Sequence, residues 1–177
     1  MLLEQINLQF EILTADTDED ENPDQTPENL VLRNAEKKAE DVSKLLDEPA
    51  IIIAADTTVE LDGVILGKPA DKNDAFAMLS RMSGKRHKVH TGVCLYKYSD
   101  APKKVTFVEQ TDVFMREMSP GEIWAYIETG EPLDKAGSYG LQGFGAVFVK
   151  RVEGDYSTVI GLPLCALWRE LEVLRCE

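Results

Sequence analysis

Apolar residues recur at helical spacing at Val31, Ala35, Ala39 and Val42, behind Thr26-Pro27-Glu28. Threonine suits an N-cap and proline the first helical position, so a helix is expected to run to about Leu46. Residues 51–55 form a short β-branched run, the pattern of a strand buried on both faces. Two further apolar runs, 59–61 and 64–66, flank Asp62-Gly63, the strongest short hairpin signal. A helix is expected over 71–83, with Phe76, Leu79 and Met82 inward and Gly84 as terminator. Strands follow over 88–96 and 105–115, separated by a polar turn at 99–104. Ser119-Pro120-Gly121-Glu122 is a capping box with proline at the first helical position, and Gly130 closes the helix it opens. A strand over 146–152 and a helix over 163–174 complete the pattern. Strands and helices mix without strict alternation and several strands pair by hairpins. The expected fold is therefore α/β, with helices flanking a mixed sheet rather than a doubly wound parallel one.

The chain of 177 residues, without internal repeats or a long linker, suits one domain or two small lobes around a cleft. It is 44% hydrophobic and 29% charged, enough for a sizeable core. Its apolar runs are far too short to span a bilayer, and no basic start followed by an apolar stretch suggests a secretory signal. The cysteines Cys94, Cys165 and Cys176 are odd in number and lack CxxC spacing; they read as reduced thiols in a cytoplasmic protein, without a zinc or disulfide framework. A net charge of -13 opposes nucleic acid polymers and acidic membranes as partners. It does not oppose a small phosphate-bearing substrate, because a few lysines or a metal ion can reverse the local potential. One acidic run, from Asp16 through Asp18, Glu19, Asp20, Glu21 and Asp24 to Gln25, reads as a solvated loop.

Candidate chemistry centres on Asp56, where the apolar run gives way to Thr57-Thr58. Ligands of α/β proteins gather beyond strand ends, so this carboxylate is placed to hold a metal or activate water; taken alone, it also reads as a turn cap. The two-residue loop at Asp62-Gly63 pairs Leu61 with Val64, Val59 with Leu66, and in continuation Thr57 with Lys68. That brings Lys68 beside Asp56, which fits a metal-phosphate site or a simple ion pair. His87 and His90, three apart on a strand, face opposite ways and are expected at the surface or in packing rather than on a shared metal. No GxxxxGK[ST], GxGxxG, GxSxG or HExxH pattern supports a kinase, dehydrogenase or hydrolase of those types.

Ala54-Ala55-Asp56-Thr57-Thr58-Val59 followed by Gly63-Val64-Ile65-Leu66-Gly67-Lys68-Pro69 resembles the signature core of the Maf family of nucleoside triphosphate pyrophosphatases. Leu79-Ser80-Arg81-Met82-Ser83-Gly84 and His90-Thr91-Gly92-Val93 continue it, as do Gly130-Glu131-Pro132-Leu133-Asp134-Lys135-Ala136-Gly137-Ser138-Tyr139-Gly140-Leu141-Gln142-Gly143 and the stretch 154–164. The blocks keep the family's order over nearly the whole chain, so residues 1–177 read as a single Maf-like domain. The resemblance implies an elongated fold with a cleft between two lobes, similar to inosine triphosphate pyrophosphatases, and a homodimer. It implies hydrolysis between the α- and β-phosphates with Mg²⁺ or Mn²⁺. Asp56 matches the proton acceptor, Thr57 and Gln142 match positions linked to base choice, and Lys38 and Lys68 match lysines along the phosphate path. Glu19 matches an acidic residue that helps Asp56 hold the metal.

The Leu141-Gln142 pair resembles the branch acting on dTTP and UTP, and a glutamine amide can read the donor–acceptor edge of a pyrimidine. The branch acting on 7-methyl-GTP carries serine-glutamate there. Family members open with a strand ending in Ser-x-Ser-Pro-Arg-Arg, whereas Met1-Leu2-Leu3-Glu4 falls in what would be the following helix. The resemblance thus implies that this first strand and its arginines are lacking. The alternative reading is a catalytically impaired Maf-like protein that binds nucleotide or a partner.

Overall fold

The computed structural model describes residues 2–14, 16–20 and 25–176, with the Cys176 side chain outside that set. Strand β1 (Ala50–Leu61) turns into β2 (Val64–Leu66), and β3 (Arg86–Tyr98), β4 (Lys103–Met115) and β5 (Val149–Glu153) follow. Their order in the sheet is β2-β1-β3-β4-β5. The α/β class with flanking helices holds. Every pairing is antiparallel, where the sequence suggested a mixed sheet, because hairpins join β1 to β2 and β3 to β4 and force reversal. The Asp62-Gly63 hairpin forms as expected: both residues have positive φ (54° and 78°), the backbone of a two-residue primed turn.

Among the described residues six α-helices accompany the sheet: α1 (Leu2–Gln5), α2 (Pro27–Ser43), α3 (Lys72–Met82), α4 (Pro120–Ile127), α5 (Tyr156–Ile160) and α6 (Leu164–Cys176). Local chemistry sets their starts. The Thr26 hydroxyl accepts from Asn29 N ahead of α2, the Asp71 carboxylate accepts from Asn73 N and Asp74 N ahead of α3, and Ser119 and Glu122 form the reciprocal box ahead of α4. α2 ends at Ser43, three residues short of the expected limit. Phe144–Phe148 is a 3₁₀ turn, so β5 begins at Val149 rather than at 146. The short α5, capped by Asp155, has no counterpart in the periodic pattern. Among the described residues no helix is long and apolar enough to cross a membrane. Cys94 is buried and Cys165 exposed, neither in a disulfide.

The long strands run from one core to another. Near one end, Ile52, Ala54 and Cys94 pack under Ala35 and Ala39 of α2, while Val93 and Leu95 pack against Leu167, Leu171 and Leu174 of α6 on the opposite face. Near the other end, Val59, Leu61, Val89 and Val113 join Leu79, Met82, Ile123 and Phe148 in the largest apolar cluster. Between the cores β1 crosses the middle of the sheet at Asp56 and Thr57. The ladder with β3 continues unbroken there, pairing Asp56 with Gly92 and Thr57 with Thr91. This corrects the sequence reading that a strand ends at Asp56: β-branched Thr57 and Thr58 are good strand residues, and β1 runs on to Leu61.

Gly92 is what lets α2 lie against this midpoint. A Cβ on Gly92 would sit 2.6 Å from Val31 C and 2.8 Å from Leu32 N, both backbone atoms of α2. The helix axis cannot approach this closely over any side chain. Gly92→Ala is therefore expected to destabilise the fold by about 1–3 kcal/mol, as overpacking does. For a chain of this size that lowers the melting temperature by roughly 2–4 °C per kcal/mol. An unchanged melting temperature would show that α2 does not depend on the contact.

His87 and His90 are both nearly or fully buried, not at the surface. Their partners lie apart: His87 Nε2 is 2.8 Å from the Tyr139 hydroxyl, and His90 Nε2 is 3.0 Å from Glu60 Oε2. Burial pushes His87 from 6.5 down to about 4, against a smaller opposing pull from Asp112. The native state therefore resists a proton that the unfolded chain accepts. Stability at neutral pH is unaffected by this group, then falls as pH drops from 6.5 toward 4, by about 3 kcal/mol at roughly 1.4 kcal/mol per pH unit. His87→Leu is expected to flatten that part of the stability–pH profile measured by urea unfolding. An identical slope in the variant would contradict a neutral buried His87.

Candidate active site

Strand alternation turns Asp56 toward α2, and α2 carries Asn34 and Lys38 one turn apart on the facing side. Lys38 Nζ lies 2.7 Å from Asp56 Oδ1 and 2.8 Å from Glu19 Oε1. Asn34 Nδ2 donates to Asp56 Oδ2 at 3.1 Å and to Asp20 O at 3.1 Å, while Asn34 Oδ1 accepts from Asp20 N at 2.7 Å. Both oxygens of Asp56 are thus held, and the same amide pins the segment that brings Glu19 to the site. Burial works against the charge on Lys38, but its hydrogen bonds from Nζ to Asp56 and Glu19 outweigh that, and its pKa is raised. The Lys38 ammonium beside Glu19 holds that carboxyl below its usual range, against partial burial. The result is a fixed ammonium between two carboxylates.

Asp18, Glu19 and Asp20 are therefore more than a solvated run. Lys37 reaches Asp18 O, and Asp20 accepts from Gln25 Nε2 at 2.7 Å. Glu21 and Asp24 of that acidic run lie outside the described residues.

The structure brings the other expected residues to one cleft in different ways. Lys68 does not pair with Thr57: the ladder stops at Val59–Leu66, because beyond it the Gly67 carbonyl turns to accept from Gly137 N at 3.0 Å. Its ammonium instead lies 3.6 Å from Glu19 Oε2 and joins Asp56 only through Glu19 and Lys38. Thr57 points to the opposite face from Asp56, with its hydroxyl 2.8 Å from that of Thr91, which donates to Thr158 O. Both faces reach one cavity because β2 covers only the last three residues of β1; over 50–58, among the described residues, that edge is open. The cavity, of about 590 Å³, is lined by Asp56, Thr57, Lys38, Glu19, Lys68 and Gln142. That volume is in the range of small-molecule sites.

Two cleft residues escaped the sequence reading. Asn34 interrupts the apolar stripe of α2 four positions before Lys38, and a buried polar residue in such a stripe is the signal that could have found it. Lys135 also lines the cleft, its ammonium 2.6 Å from Asp134 Oδ1. The lining holds three lysines (Lys38, Lys68, Lys135) against four carboxylates (Glu19, Asp20, Asp56, Asp134). No group of three His, Cys, Asp or Glu side chains among the described residues is placed to hold a metal.

The family model described as "Maf-like protein" matches residues 1–174. The chain is 46% identical over 176 residues to the dTTP/UTP pyrophosphatase of Caldicellulosiruptor saccharolyticus, covering 98% of this chain and 88% of that protein. It is 46% identical over 171 residues to the protein of that name from Bacillus pumilus, covering 97% of this chain and 88% of the relative. The like-named protein of Syntrophomonas wolfei is 44% identical over 181 residues, covering 99% and 95%.

Proposed function

Because the chain belongs to the Maf family, we propose that it is a nucleoside triphosphate pyrophosphatase that cuts dTTP and UTP to the monophosphate and pyrophosphate. The observation that carries this reading is the carboxylate of Asp56, oriented by Lys38 and Asn34 at the wall of a cleft that also presents Gln142 and two further lysines. Names of the similar proteins supply the substrate class.

Asp56 takes a proton from a water, and the water oxygen attacks the α-phosphorus. The electron pair of the bond between that phosphorus and the bridging oxygen departs with pyrophosphate. Lys38 and Lys68 offset charge on the phosphate oxygens as they separate. Lys38 is suited to this as a permanent cation, since its pKa is raised. Gln142, from the far wall, pairs its amide with the pyrimidine edge, and Thr57 lies under the same cavity.

A divalent cation fits the residues present. The donors are the carboxylates of Asp56 and Glu19, which approach closely enough to share one positive group, the Lys38 ammonium. Hard carboxylate donors suit Mg²⁺ or Mn²⁺, and Mg²⁺ commonly uses only one or two of them together with substrate phosphates. Asp56 and Glu19 would hold it, and it would supply neutralisation of phosphate charge, which three lysines set against four carboxylates do not provide. A cytoplasmic location and a homodimer belong to the same reading.

Pyrophosphate release from dTTP, UTP and 7-methyl-GTP tests the proposal. The two pyrimidine nucleotides are expected to give the higher kcat/KM; a win for the methylated purine would move the chain to the other branch. Asp56→Asn keeps shape but cannot take the proton, and is expected to cost about 10²-fold or more in turnover with the fold intact. Turnover within about tenfold of the parent would remove Asp56 as the base. Lys68→Ala is expected to cost on the order of 10²-fold in kcat/KM, because charge on the phosphates is left uncompensated.

A further inference from the structure

The segment that carries Leu141 and Gln142 into the cleft has little regular structure of its own, yet both of its ends are tied to one pair of side chains. Glu131 Oε1 accepts from Gly145 N at 3.1 Å, and Glu131 Oε2 from Phe144 N at 2.9 Å. The Tyr126 hydroxyl donates to Glu131 Oε1 at 2.8 Å and accepts from Gly140 N at 3.2 Å. Gly140 precedes the cleft residues, and Phe144 and Gly145 follow them, so the two side chains close a clamp around residues 141–143.

The clamp is tightly fitted. A Cβ on Gly143 would fall 2.7 Å from both carboxylate oxygens of Glu131, and one on Gly145 would fall 2.5 Å from the Tyr126 hydroxyl oxygen and from Gly140 O. Tyr126 is fully buried on α4 and packs against Phe148, with ring centroids 5.2 Å apart, so the clamp is anchored in the main core. Burial opposes the charge on Glu131, but the amides of Gly145 and Phe144 outweigh it and the carboxyl lies below its usual range.

Resting on the pyrophosphatase reading, in which Gln142 meets the base, we infer that Glu131 and Tyr126 are positioning residues for nucleobase selection. They hold the Gln142 backbone at a fixed height above the cleft, so that the edge of thymine or uracil is met in register and a base with a different edge, cytosine included, is not. Selectivity for the base then depends on a carboxylate that touches no substrate atom. A glutamine at 131 is a sharp probe. Its amide offers one acceptor oxygen where the carboxylate offers two, and its NH₂ would face amides that are themselves donors.

The test is the ratio of kcat/KM for dTTP over dCTP, measured for wild type, Glu131→Gln and Tyr126→Phe, with melting temperatures recorded for each. The phosphate chemistry is the same for both nucleotides, so a purely structural defect lowers both alike and leaves the ratio in place. Glu131→Gln is expected to lower the ratio at least tenfold, chiefly through a higher KM for dTTP. Tyr126→Phe, which frees only the Gly140 end and keeps the buried ring, is expected to lower it by a smaller factor and answers the question if Glu131→Gln folds poorly. A wild-type chain that hydrolyses dTTP without discriminating between the bases, or one that discriminates while both variants keep its ratio within twofold, overturns the clamp alone. A wild-type chain that hydrolyses neither dTTP nor UTP overturns the underlying reading, and the clamp with it.

Discussion

The placement of one ammonium organises this protein's cleft. Lys38 can bridge Asp56 and Glu19 only because α2 lies against the middle of the sheet, and α2 lies there only because its neighbour at that point is Gly92. From that contact follow the hydrogen bonds of Asn34, one turn earlier on the same helix face, and through Asn34 the path of the segment holding Glu19. The open edge of β1 then exposes both faces of the strand to a single cavity. Asp56 on one side and Thr57 on the other can therefore serve the same ligand although strand geometry sends them apart.

The two walls of the cleft come from chemically different parts of the chain. The α2 wall is ionic, built from Lys38 of α2, Asp56 of β1 and Glu19 on the irregular segment that Asn34 pins. The opposite wall is a glycine-rich run of short 3₁₀ turns, shaped by backbone amides that find their acceptors in Glu131 and Tyr126. Such a division suits a ligand with a charged end and a nearly flat, hydrogen-bonding end. The overall charge of -13 disfavours polyanions as partners, while Lys38, Lys68 and Lys135 supply local positive charge in the cleft.

Much of the frame was legible in the residues. Asp62-Gly63 dictated a hairpin register that the ladder reproduces from Val59 to Leu66, and Thr26, Asp71 and Ser119 marked helix starts through local hydrogen bonds. What local pattern could not show was set by distant partners. Asp56 looked like a strand end because Thr57 and Thr58 are polar, but pairing with Gly92 and Thr91 on β3 carries the strand through them. Lys68 was expected across from Thr57, yet Gly137, some seventy residues on, takes the Gly67 carbonyl and redirects the chain. Asn34 and Glu131 gain their roles from partners on other elements, so neither stood out by spacing. The family resemblance singled out Asp56, Lys38, Glu19 and Gln142 where periodicity alone left several readings open, and all four line the one cleft.

The direction of attack is the central chemical claim, and it can be read from the products. Hydrolysis of dTTP in water labelled with heavy oxygen, followed by mass spectrometry of both products, reports which phosphorus the water meets. Attack at the α-phosphorus beside Asp56 places the label in thymidine monophosphate and leaves pyrophosphate unlabelled. Label in pyrophosphate would mean attack at the β-phosphorus and would contradict the placement of the reacting water beside Asp56.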